Sequence, residues 1–378
     1  AALLTWSSFE LAGTSEEDVA ALMEELAVIE TAVEEDLAPF ETNVTGDRAK
    51  AYLYCLEVRC PITGYMVPLV PSWVISPKHG TIGRLVPDHA TKRMEVEIVN
   101  GASAAELKAA ETGTISGDHV VYDLDGETHR FSMSALRGDQ RGDAVNPNRL
   151  RKWAADDIAP RDDDLLGERL YCVQWASSET LDLPRQAVRF ARPDADDLGR
   201  EIEVREHVER NLAAWRAEGL IADMPIEAGL KTDDPMRTRG WTNWLHLFHP
   251  RQILLLATLH RRIKAHRHAA KLYFFMPRAL DNSSRLNRWK ASQGGGLGGV
   301  VGTFDNQALN TLANFAVRGS LGLRSLVGGP ARAVELDAPR RIDTLPGSLV
   351  AEPRDIWITD PPVSYTHLRA HETPEHLV

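Results

Sequence analysis

The sequence has 378 residues, of which 43% are hydrophobic, and a formal net charge of -11 at pH 7. This is enough material to bury a core, and the length predicts two to three domains. It contains no apolar run near the roughly 20 residues of a membrane span and no visible signal peptide, so we predict a soluble, cytoplasmic protein. Because the sequence opens on Ala1 rather than on Met, we expect a fragment of a longer protein.

The first 39 residues have the pattern of helices. Apolar residues recur at near-helical spacing from Val19 to Val33, behind a start signal at residues 14–18. From about residue 48 to 145 the pattern changes to short strands interrupted by one helix. The strands are predicted at residues 51–58, 66–75, 94–99 and 119–133, and the helix at residues 103–111. Asp125 and Gly126 predict a tight hairpin turn within the last of these strand segments.

The second half of the chain alternates helices with isolated strands. Residues 142–167 are polar and rich in Asp, Arg and Pro, which predicts a linker or exposed loop. Pro250 suits a first helical position. The helices are predicted at residues 194–218, 251–270 and 306–318, the last with Leu309, Leu312 and Phe315 facing inward. The strands are predicted at residues 169–175, 333–336 and 356–359.

The cysteines and histidines do not predict a metal site. Three cysteines suit a reducing cytoplasm better than a disulfide framework. Cys60 begins what resembles half of a zinc knuckle, but Thr63 stands where the second cysteine would be, and four good ligands are needed. We therefore interpret Cys55 and Cys60 as buried thiols. The pairs His246 and His249, and His266 and His268, are interpreted as structural or surface histidines.

Basic and aromatic residues concentrate between residues 239 and 290. Residues 260–290 carry nine Lys or Arg and a single acid, a pattern typical of a solvated helix face or of a nucleic-acid surface. Guanidinium and indole groups can hold phosphates or stack on bases. The candidate DNA contacts are Arg239, Trp241, Arg285, Arg288, Trp289 and Lys290. Burial is the alternative for the tryptophans, and we prefer it for Trp244.

A glycine-rich segment follows these candidates. Gly294, Gly296 and Gly299 have the spacing of a dinucleotide fingerprint, but no buried strand precedes them. We therefore predict a mobile loop rather than a cofactor site. Its position beside Lys290 suits the approach of a phosphate or closure over a flipped base.

The motif with the clearest chemical meaning follows the strand predicted at residues 356–359. Asp360, Pro361 and Pro362 stand at its carboxyl end, where open α/β sheets gather their ligands. A carboxylate and a proline-constrained carbonyl, aimed at both hydrogens of an exocyclic amine, direct the nitrogen lone pair at a methyl sulfonium. Such a base has to be flipped out of its duplex. A chance strand-to-turn sequence is the alternative interpretation.

The residues after this motif are excluded from fold reasoning. Residues 363–373 resemble one reading frame of a transposase-type sequencing-library adapter, so we treat residues 363–378 as a non-native tail. The adapter would also complete the codon of Pro362. Where Val363 stands, we expect an aromatic residue that stacks on the flipped base and contributes about 1 to 3 kcal/mol.

Strings in order from residue 1 to residue 362 resemble a bacterial DNA methyltransferase family. That family carries an N-terminal domain of unknown function and is often encoded in phage-defence islands. The strings lie at residues 1–6, 48–55, 66–69, 71–76, 239–241, 247–252, 280–289, 304–310 and 359–362. Those in the middle of the chain are more specific than Asp-Pro-Pro alone.

The resemblance implies S-adenosylmethionine as methyl donor, bound by a glycine-rich motif upstream of Ala1. It implies an incomplete Rossmann-like α/β core interrupted by a large α+β insertion. The core would occupy residues 1–40 and 321–362, the insertion and candidate target-recognition region 41–240, and a helical region with the glycine segment 241–320. Adenine is favoured as target because Asp-Pro-Pro-Tyr usually accompanies adenine modification, although cytosine amines use related motifs.

The sequence thus predicts part of a DNA amino-methyltransferase of a restriction or phage-defence system, inactive as this fragment alone. Double-stranded DNA and defence-system proteins are the implied partners. Asp360 would accept from the target amine and Pro361 would supply a carbonyl. The alternatives are a non-catalytic DNA-binding or assembly component with a decayed core, and a methyltransferase that acts on RNA or protein.

Overall fold

Helix α1 (Glu16–Glu41) opens the part of the chain that the computed structural model describes, which is residues 14–138, 149–229, 232–305, 311–312 and 314–325. The helix predicted within the first 39 residues is confirmed from Glu16 onward. The Ser15 hydroxyl caps it by accepting from the backbone N–H of Asp18 at 3.1 Å, and acids in the first turn complement the helix dipole. Its buried face carries Val19, Leu22, Leu26, Ile29, Val33 and Leu37.

The described strands are short apart from two long ones. They are β1 (Arg48–Arg59), β2 (Met66–Leu69), β3 (Val74–Ser76), β4 (Thr81–Asp88), β5 (Arg93–Val99), β6 (Ile115–Ser116), β7 (His119–Leu124), β8 (Glu127–Ser132), β9 (Leu166–Ala176), β10 (Val188–Ala191), β11 (Trp289–Lys290), β12 (Gly299–Val300) and β13 (Phe315–Arg318). The strands predicted at residues 51–58, 94–99, 119–133 and 169–175 are confirmed, whereas the run predicted at residues 66–75 forms two strands, β2 and β3, separated by residues 70–73.

The main sheet is built around β1. Its strand order is β10-β9-β1-β2-β5-β4-β3, and β13 also pairs with β1. β9 takes one edge of β1, while β13 and β2 share the other edge, β13 opposite residues 51–54 and β2 opposite residues 56–59. The pairs of this described sheet are antiparallel except for β2 with β5. The described fold is therefore mixed α/β.

Both faces of β1 are buried, since residues 51–58 are all inaccessible. Tyr54, Leu56 and Val58 belong to a core cluster on one face, which the hairpin β7–β8 also joins. Leu53 and Cys55 belong to the cluster on the other face. This alternation is the period of two that a strand imposes on its side chains.

The hairpin of β7 and β8 turns at the predicted residues. Asp125 and Gly126 both have positive φ, 53° and 84°, as a two-residue turn of the primed type requires. The turn closes the register in which Leu124 pairs with Glu127. The prediction from the Asp-Gly dipeptide is thus confirmed.

Three long helices form a second layer with its own core. The helices after α1 are α2 (Ala104–Ala109), α3 (Met133–Arg137), α4 (Ala195–Ala217), α5 (Asp233–Arg239), α6 (Pro250–Lys264), α7 (Ala269–Leu272), α8 (Met276–Asp281) and α9 (Gln293–Gly296), the last a single distorted turn. Leucine and isoleucine side chains of α6 pack between α1 and α4. Asp194 caps α4 in a capping box, as the predicted start at residue 194 requires.

Two sequence predictions for the second half of the chain need correction. The helix predicted at residues 306–318 is wrong at its end, because Phe315–Arg318 is strand β13. Its apolar side chains are buried between two core clusters, and pairing with β1 satisfies its backbone. The helix predicted at residues 251–270 ends at Lys264 and resumes as the short α7.

All described residues belong to one unit of the chain, Ala1–Asp337, and a second unit covers Ala338–Val378. The predicted boundaries at residues 40 and 240 fall inside the first unit. The division into domains and the Rossmann-like core remain predictions. No helix among the described residues is long and apolar enough to cross a membrane.

Candidate functional site

The predicted catalytic residues Asp360, Pro361 and Pro362 lie outside the described residues, as do the strands predicted at residues 333–336 and 356–359. The six predicted DNA contacts are all described. The structure divides them into a buried group and a group at the surface.

Arg239, Trp241 and Arg285 form the buried group. Arg285 donates to Glu168 from Nε at 2.8 Å and from Nη2 at 3.0 Å, and Arg239 donates to the same carboxylate. Trp241 is fully buried, with the Arg239 guanidinium 4.6 Å from the centre of its ring. Burial acts to raise the pKa of Glu168, but the two arginines outweigh it and lower this pKa to about 2. The guanidinium groups are thus used inside the protein.

Arg288, Trp289 and Lys290 form the surface group. Arg288 is about half exposed and pairs with Asp305. Trp289 is partly buried, and its indole Nε1 donates to the carbonyl of Ile75 at 2.7 Å. Lys290 is exposed. Among the six predicted contacts, these three therefore have side chains placed where a polyanion could approach.

The glycine-rich segment lies directly beside this group. β11 and β12, which flank it, pair through Trp289 with Val300 and Lys290 with Gly299. The Ser76 hydroxyl donates to the carbonyl of Gly296 at 3.1 Å. A Cβ at Gly298, where φ is +86°, would lie 2.3 Å from the Trp289 ring. Glycine is therefore required for this close approach, and the segment packs against the end of β3 rather than on a dinucleotide-binding strand.

A cleft of about 880 Å³ runs along this segment, and we call it the glycine cleft. Its volume lies within the range of ligand sites in proteins. Its walls come from the glycine segment, from the loop between β9 and β10, and from β1 and β13. Residues that line it include Lys50, Gln186, Trp289, Gly294, Gly298 and Arg318.

Two cations of the glycine cleft have no carboxylate within ion-pair distance among the described residues. Lys50 donates from Nζ to Oε1 of Gln186 at 3.1 Å. Arg318 donates to Oδ1 of Asn282 at 3.3 Å and to the carbonyl of Val300. By contrast, Arg324 at the rim pairs with Glu34 at 2.6 Å. Neither cation therefore forms an ion pair with a described carboxylate, although Asp182 also lines the cleft and the charge of Asp281 acts on Arg318.

In a second cleft, of about 950 Å³, cations are already paired with carboxylates, and we call it the charged cleft. Its lining includes Glu57, Arg93, Glu95, Arg169 and Arg192. Glu57 pairs with Arg93 and Arg169, and Glu95 pairs with Arg169 and Arg192. Because these opposite charges are already matched, the cleft offers less to an ionic ligand than the glycine cleft does.

Of the four histidines predicted as structural or surface groups, His246 and His249 lie in the interior, and His266 and His268 are partly exposed. His246 accepts at Nδ1 from the backbone N–H groups of Thr242 and Asn243, and its Nε2 faces the carbonyl of Ala154 at 2.9 Å. Burial lowers the pKa of His246 to about 4. His249 is also buried, with its ring 4.4 Å from that of Tyr54. Both histidines therefore stabilise the fold.

The thiol of Cys60 is buried, and Thr63 hydrogen-bonds the hydroxyl of Tyr122. The described residues contain no group of three or more His, Cys, Asp or Glu side chains arranged to hold a metal ion. Trp244, predicted to be buried, packs partly buried against Trp153 and Trp241.

Sequence patterns did not single out Lys50 or Arg318 as site residues. Lys50 directly precedes the strand predicted at residues 51–58, and Arg318 ends the helix predicted at residues 306–318. A lone cation at the end of such a segment is ordinarily interpreted as pointing to solvent. Their convergence depends on the pairing of β1 with β13, which joins segments more than 250 residues apart.

Comparison with known proteins adds no assignment: no family model matches the sequence, and no match was found among the curated proteins or the solved structures.

Proposed function

We propose that this chain is part of a DNA amino-methyltransferase and that the glycine cleft faces the DNA. One structural observation carries the DNA half of the proposal. The cleft contains two cations without an ion-pair partner among the described carboxylates, and the indole of Trp289 lines it, while the exposed Lys290 is the next residue along the chain. Positive charge in a groove, together with an aromatic wall, suits a nucleic-acid backbone and its bases.

The methyl-transfer half rests on the sequence motif at residues 360–362. Asp360 would accept a hydrogen bond from the exocyclic amine of a flipped base, and the constrained carbonyl of Pro361 would take the second hydrogen. S-adenosylmethionine would supply the methyl group. The target proposed is adenine, in a cytoplasmic restriction or phage-defence setting. The Rossmann-like core belongs to the same proposal.

The division of the predicted DNA contacts into a buried group and a surface group supports a specific path for the DNA. Arg239 and Arg285 are engaged with Glu168 in the interior, so contact with DNA would fall to Trp289 and Lys290, and to Arg288 if it exchanges Asp305 for a phosphate. These residues lie on and beside β11, which adjoins the glycine segment. DNA would therefore pass over the mouth of the glycine cleft.

The test uses the protein encoded by the full gene that contains this sequence. The complete protein is mixed with duplex DNA and radiolabelled S-adenosylmethionine, and methyl incorporation is counted. We expect methylated adenine, and we expect Asp360→Ala to reduce the rate by about 100-fold or more while DNA binding is retained.

The other outcomes decide between the alternatives. DNA binding without methyl transfer would replace this proposal by a non-catalytic DNA-binding component. Methyl transfer to RNA or to protein, with none to duplex DNA, would overturn the choice of substrate. Failure to bind duplex DNA at low salt would overturn the DNA half.

A further inference from the structure

The inference starts from an irregularity in β1. Ala49 pairs with Trp175 of β9, while Ala51 pairs with Gln174, so Lys50 is an extra residue in the ladder. Such a bulge breaks the strict alternation of side chains and can re-aim one of them. Lys50 and Ala51 both line the glycine cleft. The bulge thus explains how adjacent residues of one strand contribute to the same cavity.

Arg318 reaches this cavity from the neighbouring strand. In the pairing of β1 with β13, Ala51 stands directly opposite Arg318, and the backbone N–H of Gly319 donates to the carbonyl of Lys50 at 3.0 Å. Residues opposite one another in an antiparallel pair have side chains on the same face. Arg318 therefore projects from the same side as Ala51, toward which the bulge turns Lys50.

The two side chains are held in place before any ligand arrives. Gln186 accepts from Lys50, and Asn282 and the carbonyl of Val300 accept from Arg318. All three acceptors are uncharged, so they orient the cations without neutralising them. Such fixed donors lose little conformational freedom when an anion binds.

The surrounding charges make this arrangement unfavourable without an anion. Burial lowers the pKa of Lys50, and the Arg318 charge lowers it further. Burial also lowers the pKa of Arg318, and Arg278 on α8 adds to the effect, while Asp281 opposes it. An anion between Lys50 and Arg318 would be attracted by both cations and would offset the repulsion between them.

We propose that Lys50 and Arg318 form a binding site for one phosphate group on the floor of the glycine cleft. The guanidinium offers a planar set of donors and the ammonium a point charge, the two ways in which proteins hold phosphate. The cleft is open and far larger than one phosphate, so the phosphate belongs to a longer molecule. Its assignment to a DNA phosphodiester rests on the proposed function, whereas the site itself does not.

The first experiment measures the site without DNA. The affinity of the 378-residue chain for inorganic phosphate is determined by calorimetry at low ionic strength. Lys50→Gln and Arg318→Gln remove one charge each, and we expect each to weaken binding by about tenfold or more, the loss of a hydrogen bond to a charged group. Lys50→Arg keeps the charge and should retain binding.

Arg324→Gln is the matched control. Arg324 lines the same cleft but is already paired with Glu34, so its removal should leave the phosphate affinity within about twofold of the wild type. Circular dichroism and the urea midpoint establish that each variant is folded. If Arg318→Gln does not fold, two single variants decide the result: Lys50→Gln, which removes a charge, and Arg318→Lys, which keeps one.

A second arm identifies the source of the phosphate. A short DNA duplex should bind to the wild type, compete with inorganic phosphate, and bind less tightly to Lys50→Gln. Phosphate binding that depends on Lys50 and Arg318, with no competition from DNA, would retain the site and overturn its assignment to DNA. Unchanged phosphate affinity in both charge-removing variants, or tighter competition by a poly-glutamate peptide, would overturn the site itself, whether or not DNA binds elsewhere.

Discussion

Arg285 and Glu168 form a two-pronged ion pair in the interior, with the Arg285 side chain fully inaccessible. The remaining donors of this guanidinium reach the carbonyls of Ile158, His246 and Phe248. One side chain therefore ties β9 to the segment after residue 149 and to the turn before α6. A residue that the sequence suggested for DNA contact serves here as an anchor of the fold.

The first prediction concerns Glu168, whose negative charge the buried Arg285 depends on. Replacing Glu168 by Gln leaves Arg285 and Arg239 buried without their shared carboxylate. Removing one partner of a buried ion pair costs about 3 to 5 kcal/mol, because the other charge is left uncompensated. We expect Glu168→Gln to lower the free energy of unfolding by that amount, measured by urea denaturation at pH 7.

Glu218→Gln is the control for that measurement. Glu218 also pairs with an arginine, Arg261, but both side chains are about half exposed. A surface pair of this kind contributes about 0 to 1 kcal/mol. Equal effects of the two substitutions would contradict the anchoring role of Glu168.

The elements that the sequence predicted correctly are those with a strong local signal. The Asp125-Gly126 turn requires positive φ at two positions, and α1 and α4 have clear caps and long periodic faces. The burial of Arg285 has no such signal, since its partner Glu168 is 117 residues away and the surrounding run is strongly basic. The residues around Arg285 in the sequence therefore do not reveal the long-range pairing that buries it.

β13 was missed for a related reason. Four residues are too few for a period of two to be distinguished from a helical face, and Leu312 with Phe315 fit a helix equally well. Pairing with β1 makes this segment a strand. β2 covers its edge of β1 only at residues 56–59, which leaves residues 51–54 of that edge to pair with β13. The bulge at Lys50 likewise appears only once β9 is paired with β1. The candidate anion site therefore depends on two long-range pairings.

The second prediction is an acid sensitivity caused by His246. The Nδ1 atom accepts two backbone N–H groups, so the folded protein binds the neutral ring, and burial lowers its pKa to about 4 from 6.5. Between pH 6.5 and 4 the unfolded chain takes up a proton that the folded chain does not, so stability falls as the pH falls. His246→Asn keeps an acceptor and removes the titration.

We expect a shallower decline of unfolding free energy with acid in His246→Asn than in the wild type. Nitrogen chemical shifts of the wild-type ring provide an independent measure. They should report a neutral ring protonated at Nε2 down to about pH 5, since that is above the folded pKa. A ring that is fully cationic at pH 5.5 would contradict the prediction.

The third prediction has the opposite sign. Glu30 lies buried on α1, and burial raises its pKa to about 7, with Glu34 adding to the shift and Arg324 opposing it. From pH 4.5 to 7 the unfolded chain loses this proton while the folded chain keeps it, so this group lowers stability as the pH rises. Above pH 7 the folded state carries the buried charge.

Replacing Glu30 by Gln removes that buried charge. We expect Glu30→Gln to melt about 2 to 4 °C above the wild type at pH 8, with the difference vanishing near pH 4.5. Glu35→Gln, an exposed position on the same helix, should change the unfolding free energy by less than about 0.5 kcal/mol at either pH. A constant difference between Glu30→Gln and the wild type across this range would rule out titration as the cause.

The fourth prediction addresses Lys290 as a phosphate contact. If the exposed Lys290 lies against the DNA backbone, Lys290→Gln should weaken binding of all duplex sequences alike and reduce the slope of log affinity against log salt by about one. Arg84→Gln is the control, because Arg84 on β4 is already paired with Glu106. An unchanged salt slope in Lys290→Gln would remove this residue from the DNA interface.

The last prediction concerns the backbone that supports Lys50. Gly319 follows β13, and a Cβ there would lie 2.1 Å from the carbonyl oxygen of Ala49, the residue before the bulge. That contact is with backbone, so the strands have to separate to relieve it. We expect Gly319→Ala to destabilise the protein by about 1 to 3 kcal/mol, the usual cost of overpacking, and to weaken phosphate binding further than its folded fraction explains.

Gly199→Ala provides the comparison for that substitution. Gly199 lies within α4, where a Cβ meets nothing within 4 Å, so alanine should stabilise the helix by about 0.5 to 1 kcal/mol and leave phosphate binding unchanged. Urea denaturation and phosphate calorimetry on both variants separate a general loss of stability from a local change at the bulge. Wild-type phosphate affinity in a folded Gly319→Ala protein would show that the close approach of β13 to β1 does not position Lys50.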